Sequence, residues 1–209
     1  MTRIGVLASG RGSNFQALCK AQQAGRLGGG TIVVLVTDQP AAGALAVARD
    51  WSVPAVVVER AKFPDRTAHD AAIADALKAH GVQLVVHAGY MRIVGPAYLA
   101  RFPQAVLNIH PSLLPAFPGL HAQRQALAHG AKVSGTTVHI VDEGTDTGPI
   151  ILQAAVAIEE GDTEATLAAR VLVEEHRLYP EAVRLFCEGR LRIDGRRVLI
   201  LPTGGGGRP

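Results

Sequence analysis

Short apolar runs alternate with amphipathic segments along the first half of the chain. Runs at residues 3–8, 31–37, 53–58 and 83–88, and a fifth centred on Asn108, are rich in Val, Ile and Leu and shorter than ordinary helices. Between the first four lie segments at 15–24, 41–51 and 66–80 whose apolar residues recur at helical spacing. Strands separated by helices pair in parallel through right-handed crossovers, so the pattern predicts an α/β fold with a mostly parallel central sheet flanked by helices.

Further along, residues 123–129 read as a short helix, and 135–141 and 149–157 as strands forming an antiparallel pair added to that sheet. Residues 163–186 form a long amphipathic helix with capping character at Asp162 or Thr163, and 191–201 read as a hairpin turning at Asp194 and Gly195. Residues 1–202 are expected to form one domain, and the glycine-rich 203–209 a disordered tail.

Composition narrows the function classes. The net charge of +3 is spread without a basic stripe, and aromatic residues make up 4% of the chain, which argues against nucleic acid as a partner. No apolar run reaches the roughly 18 residues of a membrane span, and the start, MTRIGVLASGRGSN, does not read as a signal peptide. A cytoplasmic protein acting on small molecules is expected, and the sequence is compatible with a monomer or a homodimer. Cys19 and Cys187 are isolated, and none of the eight histidines makes a His-x-x-x-His pair with an acid between, so no metal is expected.

Chemistry concentrates in VLNIHPSLLPAFP at 106–118. Asn108 and His110 lie two apart on a strand and share one face, while Pro111 has no N–H for a ladder and stops the strand beyond them. An amide donor beside a group that exchanges a proton near neutrality suits attack on a carbonyl. In the turn DEGTDTG at 142–148, Asp146 is placed to reach His110 and to favour its charged form. His121 and His139 are expected to line the same site. A lone histidine near a strand end is more often structural, and Asp142, Glu143 and Asp146 also fit a simple polar turn; Asp146 as a third member shifts the balance toward chemistry.

A glycine loop, SGRGSN at 9–14, follows the first strand and opens the first helix, offering free N–H groups and a positive helix end to a phosphate. The same glycines fit a tight turn capped by Asn14 or Ser13, and Phe15 stands where a dinucleotide fingerprint wants its third glycine.

Four blocks in order, SGRGSN at 9–14, AGYMRI at 88–93, NIHPSLLP at 108–115 and GTTVHIVDEGTDTGPIILQ at 135–153, resemble the phosphoribosylglycinamide formyltransferases of purine synthesis over most of the chain. The resemblance implies a Rossmann-like formyltransferase fold. It implies transfer of a formyl group from the co-substrate 10-formyltetrahydrofolate to the glycinamide amine of a ribonucleotide, with no covalent enzyme intermediate. It assigns Asn108, His110 and Asp146 to catalysis and Gly12, Ser13, Asn14 and Glu175 to the ribonucleotide. It assigns Arg66, Met91, Arg92, Ile93, Val94 and Val141, with Asn108 and Asp146, to the folate.

Thr145 and Leu172 depart from the family pattern at positions bearing on affinity, and His87 replaces a usually aliphatic strand residue. Methionyl-tRNA formyltransferases and formyltetrahydrofolate deformylases share the catalytic blocks. The former are expected to carry a further carboxyl-terminal domain, and the latter a regulatory domain before the first strand.

Overall fold

A computed structural model describes residues 1–203, so most of the tail expected at 203–209 lies outside the described residues. The first strands are β1 (Thr2–Leu7), β2 (Gly30–Thr37), β3 (Ala55–Val57), β4 (Leu84–His87) and β5 (Val106–His110). They are joined by α1 (Ser13–Gln23), α2 (Ala44–Asp50), α3 (Arg66–Ala79) and α4 (Pro96–Arg101). The remaining elements are α5 (Ala122–Ala128), β6 (Val133–Ile140), β7 (Ile150–Ala157), α6 (Glu164–Cys187), β8 (Leu191–Asp194) and β9 (Arg197–Ile200).

All nine strands form one sheet in the order β3-β2-β1-β4-β5-β6-β7-β9-β8. The first five are parallel, whereas β6 runs antiparallel to both β5 and β7. The hairpin β8–β9 joins through a parallel pairing of Ile150 with Arg197, a placement that no local pattern announces. Helices cover both faces. Phe15 and Leu18 of α1, Ala48 of α2 and Tyr179 of α6 pack in the larger core, and Ile73 of α3 and Tyr98 of α4 pack in the second.

Strand order reverses at β1, and the loops after β1 and β4 stay joined by the Ser9 N–H on the Gly89 carbonyl while β4 and β5 part beyond His87 and Asn108, which leaves a crevice at the carboxyl edge of the sheet. The elements flanking that crevice are firmly ended. Asp65 caps α3 by accepting the Ala68 N–H at 2.8 Å, and Thr163 and Thr166 close a capping box at the start of α6. The helix α4 has no periodicity long enough to reveal it, but Pro96 in its first turn follows the extended Gly95, a recognisable helix start.

Candidate active site

Strand β5 and the loop between β6 and β7 bring the proposed catalytic trio together. Asn108 pairs with His139 across the β5–β6 ladder, which sets both side chains on one face beside His110. Asp146 enters from the β6–β7 loop with φ of 55°, a left-handed conformation uncommon outside glycine. Its Oδ2 accepts the Gly119 N–H at 2.8 Å and lies 3.2 Å from His110 Nδ1, while Oδ1 lies 3.4 Å from Asn108 Nδ2 and 3.6 Å from His139 Nε2. One carboxylate therefore faces Asn108, His110, His139 and the Gly119 N–H. Gly148 fixes the loop's return, because a Cβ there would lie 1.7 Å from the Ile140 carbonyl oxygen.

The electrostatics differ in one respect from the sequence reading. Asp146 was expected to hold His110 protonated. Burial instead dominates and lowers the His110 pKa, helped by His139 and only partly opposed by the Phe117 carbonyl and Asp146. Both ring nitrogens nevertheless face protein acceptors, since Nε2 sits 2.9 Å from the Phe117 carbonyl and Nδ1 faces Asp146, and a neutral ring has one N–H to give to the two. Burial therefore lowers the proton affinity of His110 against the pull of both acceptors. Burial likewise opposes ionisation of Asp146, but the His139 ring, the Gly119 N–H and His110 outweigh it and hold its carboxyl below the usual range.

Asn108 is held loosely. Its Nδ2 lies 3.2 Å from His139 Nε2, and the other ring nitrogen faces the Ile140 carbonyl at 2.9 Å, which fixes the orientation of the ring. These long amide contacts can be exchanged for a better acceptor without breaking a strong bond. His121, expected nearby, starts α5 instead, is exposed, and lies 3.7 Å from Glu164, because its backbone is spent on the left-handed turn into that helix.

At the other end of the crevice, Gly12 takes φ of 81° at the start of α1, and no side chain caps the helix there. The capping alternative for Ser13 or Asn14 is thereby set aside. Asn14 Nδ2 instead donates to Glu175 Oε2 at 2.7 Å, in a buried contact between α1 and α6. Burial raises the Glu175 pKa against the pull of Asn14, and Asn14 Oδ1 is buried with no protein partner among the described residues.

The residues assigned to folate are divided. Met91 and Ile93 are exposed apolar side chains, 65% and 52% accessible, on the turn after β4, whereas Val94 packs in the core below. The Arg92 guanidinium turns away to Asp38, which it meets at 2.6 Å. Arg66 is exposed at the start of α3, and Val141 is half-buried where the β6–β7 loop begins. A cavity of about 330 Å³ lies behind Asp146, lined by Leu114, Pro115, Gly148 and Ile150, and a larger one of about 620 Å³ opens beside Ser9, Asp38 and Arg92 rather than over Asn108.

Several contributors escaped the sequence reading: the Phe117 carbonyl, the Gly119 N–H and Arg196, whose Nη2 donates to the Thr147 carbonyl at 2.7 Å. The signal for the first two was the Pro118–Gly119 step, a turn that presents backbone groups. Arg196 belongs to a hairpin whose docking is purely tertiary. Among the described residues, no group of His, Cys, Asp and Glu has a metal-binding arrangement, and no helix is long and apolar enough to cross a membrane.

The fold and this site define a class. The formyl transferase family matches residues 2–183, and the chain belongs to that family. Within it, the chain is 45% identical to the phosphoribosylglycinamide formyltransferase of Mycobacterium tuberculosis, over 95% of this chain and 94% of the relative. It is 41% identical to the enzyme of that name from Bacillus subtilis, over 88% of this chain and 94% of the relative. Among solved structures, glycinamide ribonucleotide transformylase 1 from Symbiobacterium toebii superposes with a TM-score of 0.95 at 57% identity, covering 97% of this chain and 95% of that one. A formyltetrahydrofolate deformylase from Pseudomonas syringae shares the fold with a TM-score of 0.88 but is 24% identical, and this chain covers 66% of its length.

Proposed function

We propose that the chain transfers the formyl group of 10-formyltetrahydrofolate to the amine of glycinamide ribonucleotide, a step of purine synthesis. The observation that carries this reading is the convergence of Asn108, His110, His139 and Asp146 within one crevice that also holds an uncapped helix start and the Asn14–Glu175 pair. A folate hydrolase has no phosphorylated acceptor to bind at such a helix start.

In this reading the ribonucleotide phosphate lies on the N–H groups of Gly12, Ser13 and Asn14, and Glu175 accepts from its sugar hydroxyls. The folate enters between the turn carrying Met91 and Ile93 and the loop from Val141 to Asp146, with Arg66 at its anionic end. The amine attacks the formyl carbon, the new C–N bond forms, and the carbonyl becomes a tetrahedral oxyanion. Asn108 gives up a long contact to donate to that oxygen, and the interaction strengthens as charge develops. The proton released from the amine passes through water to the His110 ring on the side that faces Asp146. The imidazolium so formed is stabilised by Asp146, which this role requires to be ionised. Collapse breaks the bond to the folate nitrogen, which receives the proton and leaves as tetrahydrofolate. Charged phosphorylated substrates do not cross membranes unaided, which suits a cytoplasmic enzyme.

Single-turnover formyl transfer, with and without the ribonucleotide, tests the proposal in wild type and His110→Ala. We expect transfer that requires the ribonucleotide and falls by about 10²–10⁴-fold in the variant. Deformylation at the same rate without the ribonucleotide would identify a hydrolase and overturn the reading.

A further inference from the structure

The ladder between β4 and β5 ends at the pairing of His87 with Asn108. Beyond that rung the two chains part. After His87 the backbone turns toward β1, with the Ala88 N–H donating to the Leu7 carbonyl at 2.8 Å and the Ser9 N–H to the Gly89 carbonyl at 3.0 Å. After Leu107, β5 continues beside β6 through Asn108, Ile109 and His110. The fork between them is the mouth of the proposed folate slot, with the turn of Met91 and Ile93 on one side and Asn108 on the other.

One side chain from outside the sheet reaches into that fork. Tyr179 of α6 is fully buried, and its hydroxyl lies 2.9 Å from the His87 carbonyl and 3.0 Å from the Leu107 carbonyl, one on each diverging strand. These carbonyls belong to the residue before the Ala88–Gly89 turn and to the residue before Asn108. A phenol buried in apolar surroundings keeps its proton, and here burial raises its pKa well above the ordinary value, so it is a donor at any working pH. Tyr179 also stands one helical turn after Glu175, on the same face of α6, and Glu175 is joined to Asn14 in the glycine loop. A single helix face therefore registers the glycine loop, the turn after β4 and the catalytic strand end.

Resting on the function proposed above, we infer that Tyr179 is a positioning residue. Its hydroxyl sets the spread of the fork, and hence the placement of Asn108 against a formyl group bound beside the turn. It touches no substrate and acts through the His87 and Leu107 backbone.

The test is Tyr179→Phe, which keeps the ring and its packing. Single-turnover rate, the dissociation constants of formyl folate and ribonucleotide, and thermal stability are measured together, with the core truncation Ile73→Val as a control for general destabilisation. We expect the single-turnover rate to fall about tenfold while each dissociation constant stays within about twofold, since a small misplacement of reacting groups costs rate more than affinity. The control is expected to lose stability and keep its rate. A Tyr179→Phe rate within about twofold of wild type would overturn the inference, as would an equal loss of rate in the control. If Tyr179→Phe does not fold, 3-fluorotyrosine at position 179 retains the shape and changes the donor strength: a changed rate at constant affinity supports the inference, and an unchanged rate overturns it. Absence of formyl transfer in wild type would instead mean that the proposed function has failed.

Discussion

The position of Asp146 against two histidines and an amide decides how the site responds to pH. His110 has a folded pKa below its ordinary value, so its neutral form persists as pH falls below about 6.5. If the neutral ring accepts the amine's proton, kcat/KM is level near neutrality and declines only as pH drops through that lowered pKa. Asp146 is one of the influences that raise the His110 pKa, so Asp146→Asn moves the acid limb to still lower pH. It also removes the charge that stabilises the imidazolium, and kcat is expected to fall by about 10²–10⁴-fold. The measurement is kcat/KM against pH for both proteins; an acid limb that stays in place or moves upward in the variant would sink this account. Sequence made Asn108, His110 and Asp146 legible through strand spacing and a polar turn. It showed that Asp146 favours the charged form of His110 but not the burial that opposes it more strongly, because burial depends on packing that spacing does not reveal.

At the scale of elements, the β6–β7 loop is held from within and from outside. Asp142 Oδ1 accepts the Gly144 N–H at 3.1 Å and the Thr147 hydroxyl at 2.6 Å, and Arg196 of the distant hairpin clamps the Thr147 carbonyl. Exposed Glu143 and Thr145 lie between these ties and the contacts of Asp146 with Gly119 and His110, so opening the loop requires both sets to break. Amide hydrogen exchange across residues 142–148 is expected to slow when formyl folate binds, and to quicken severalfold in Arg196→Ala without ligand, in line with loss of about 1 kcal/mol for one such bond. Equal exchange in the free and folate-bound protein would remove loop closure from the mechanism. Turn chemistry in DEGTDTG disclosed the loop, but its outer clamp was illegible, since Arg196 sits far along the chain on a strand pair that reaches β7 by a single parallel rung.

For the molecule as a whole, the alternation of apolar runs and helices was enough to indicate a parallel sheet, because each crossover has one favoured hand. The reversal of strand order at β1 and the attachment of β8–β9 are tertiary outcomes that local pattern does not encode. His87 shows how a buried strand residue affects global stability. Its ring is enclosed, lies 3.2 Å from the Tyr98 hydroxyl, and burial pushes its pKa down to about 3, with His139 adding to the shift. In the unfolded chain the same imidazole titrates near about 6.5. Between those values the unfolded state binds more protons than the folded one, so stability rises with pH across that window and is level above it. The neutral ring is therefore tolerated at pH 7, and its burial becomes a growing penalty as pH falls toward about 3. His87→Leu is expected to lower stability at pH 7 by about 1–3 kcal/mol through the orphaned Tyr98 hydroxyl, and to flatten the loss between pH 7 and pH 4. Urea unfolding across that range reads both effects at once: the variant's curve should start lower and converge on the wild-type curve, whereas parallel curves would mean that His87 takes up its proton without opening the fold.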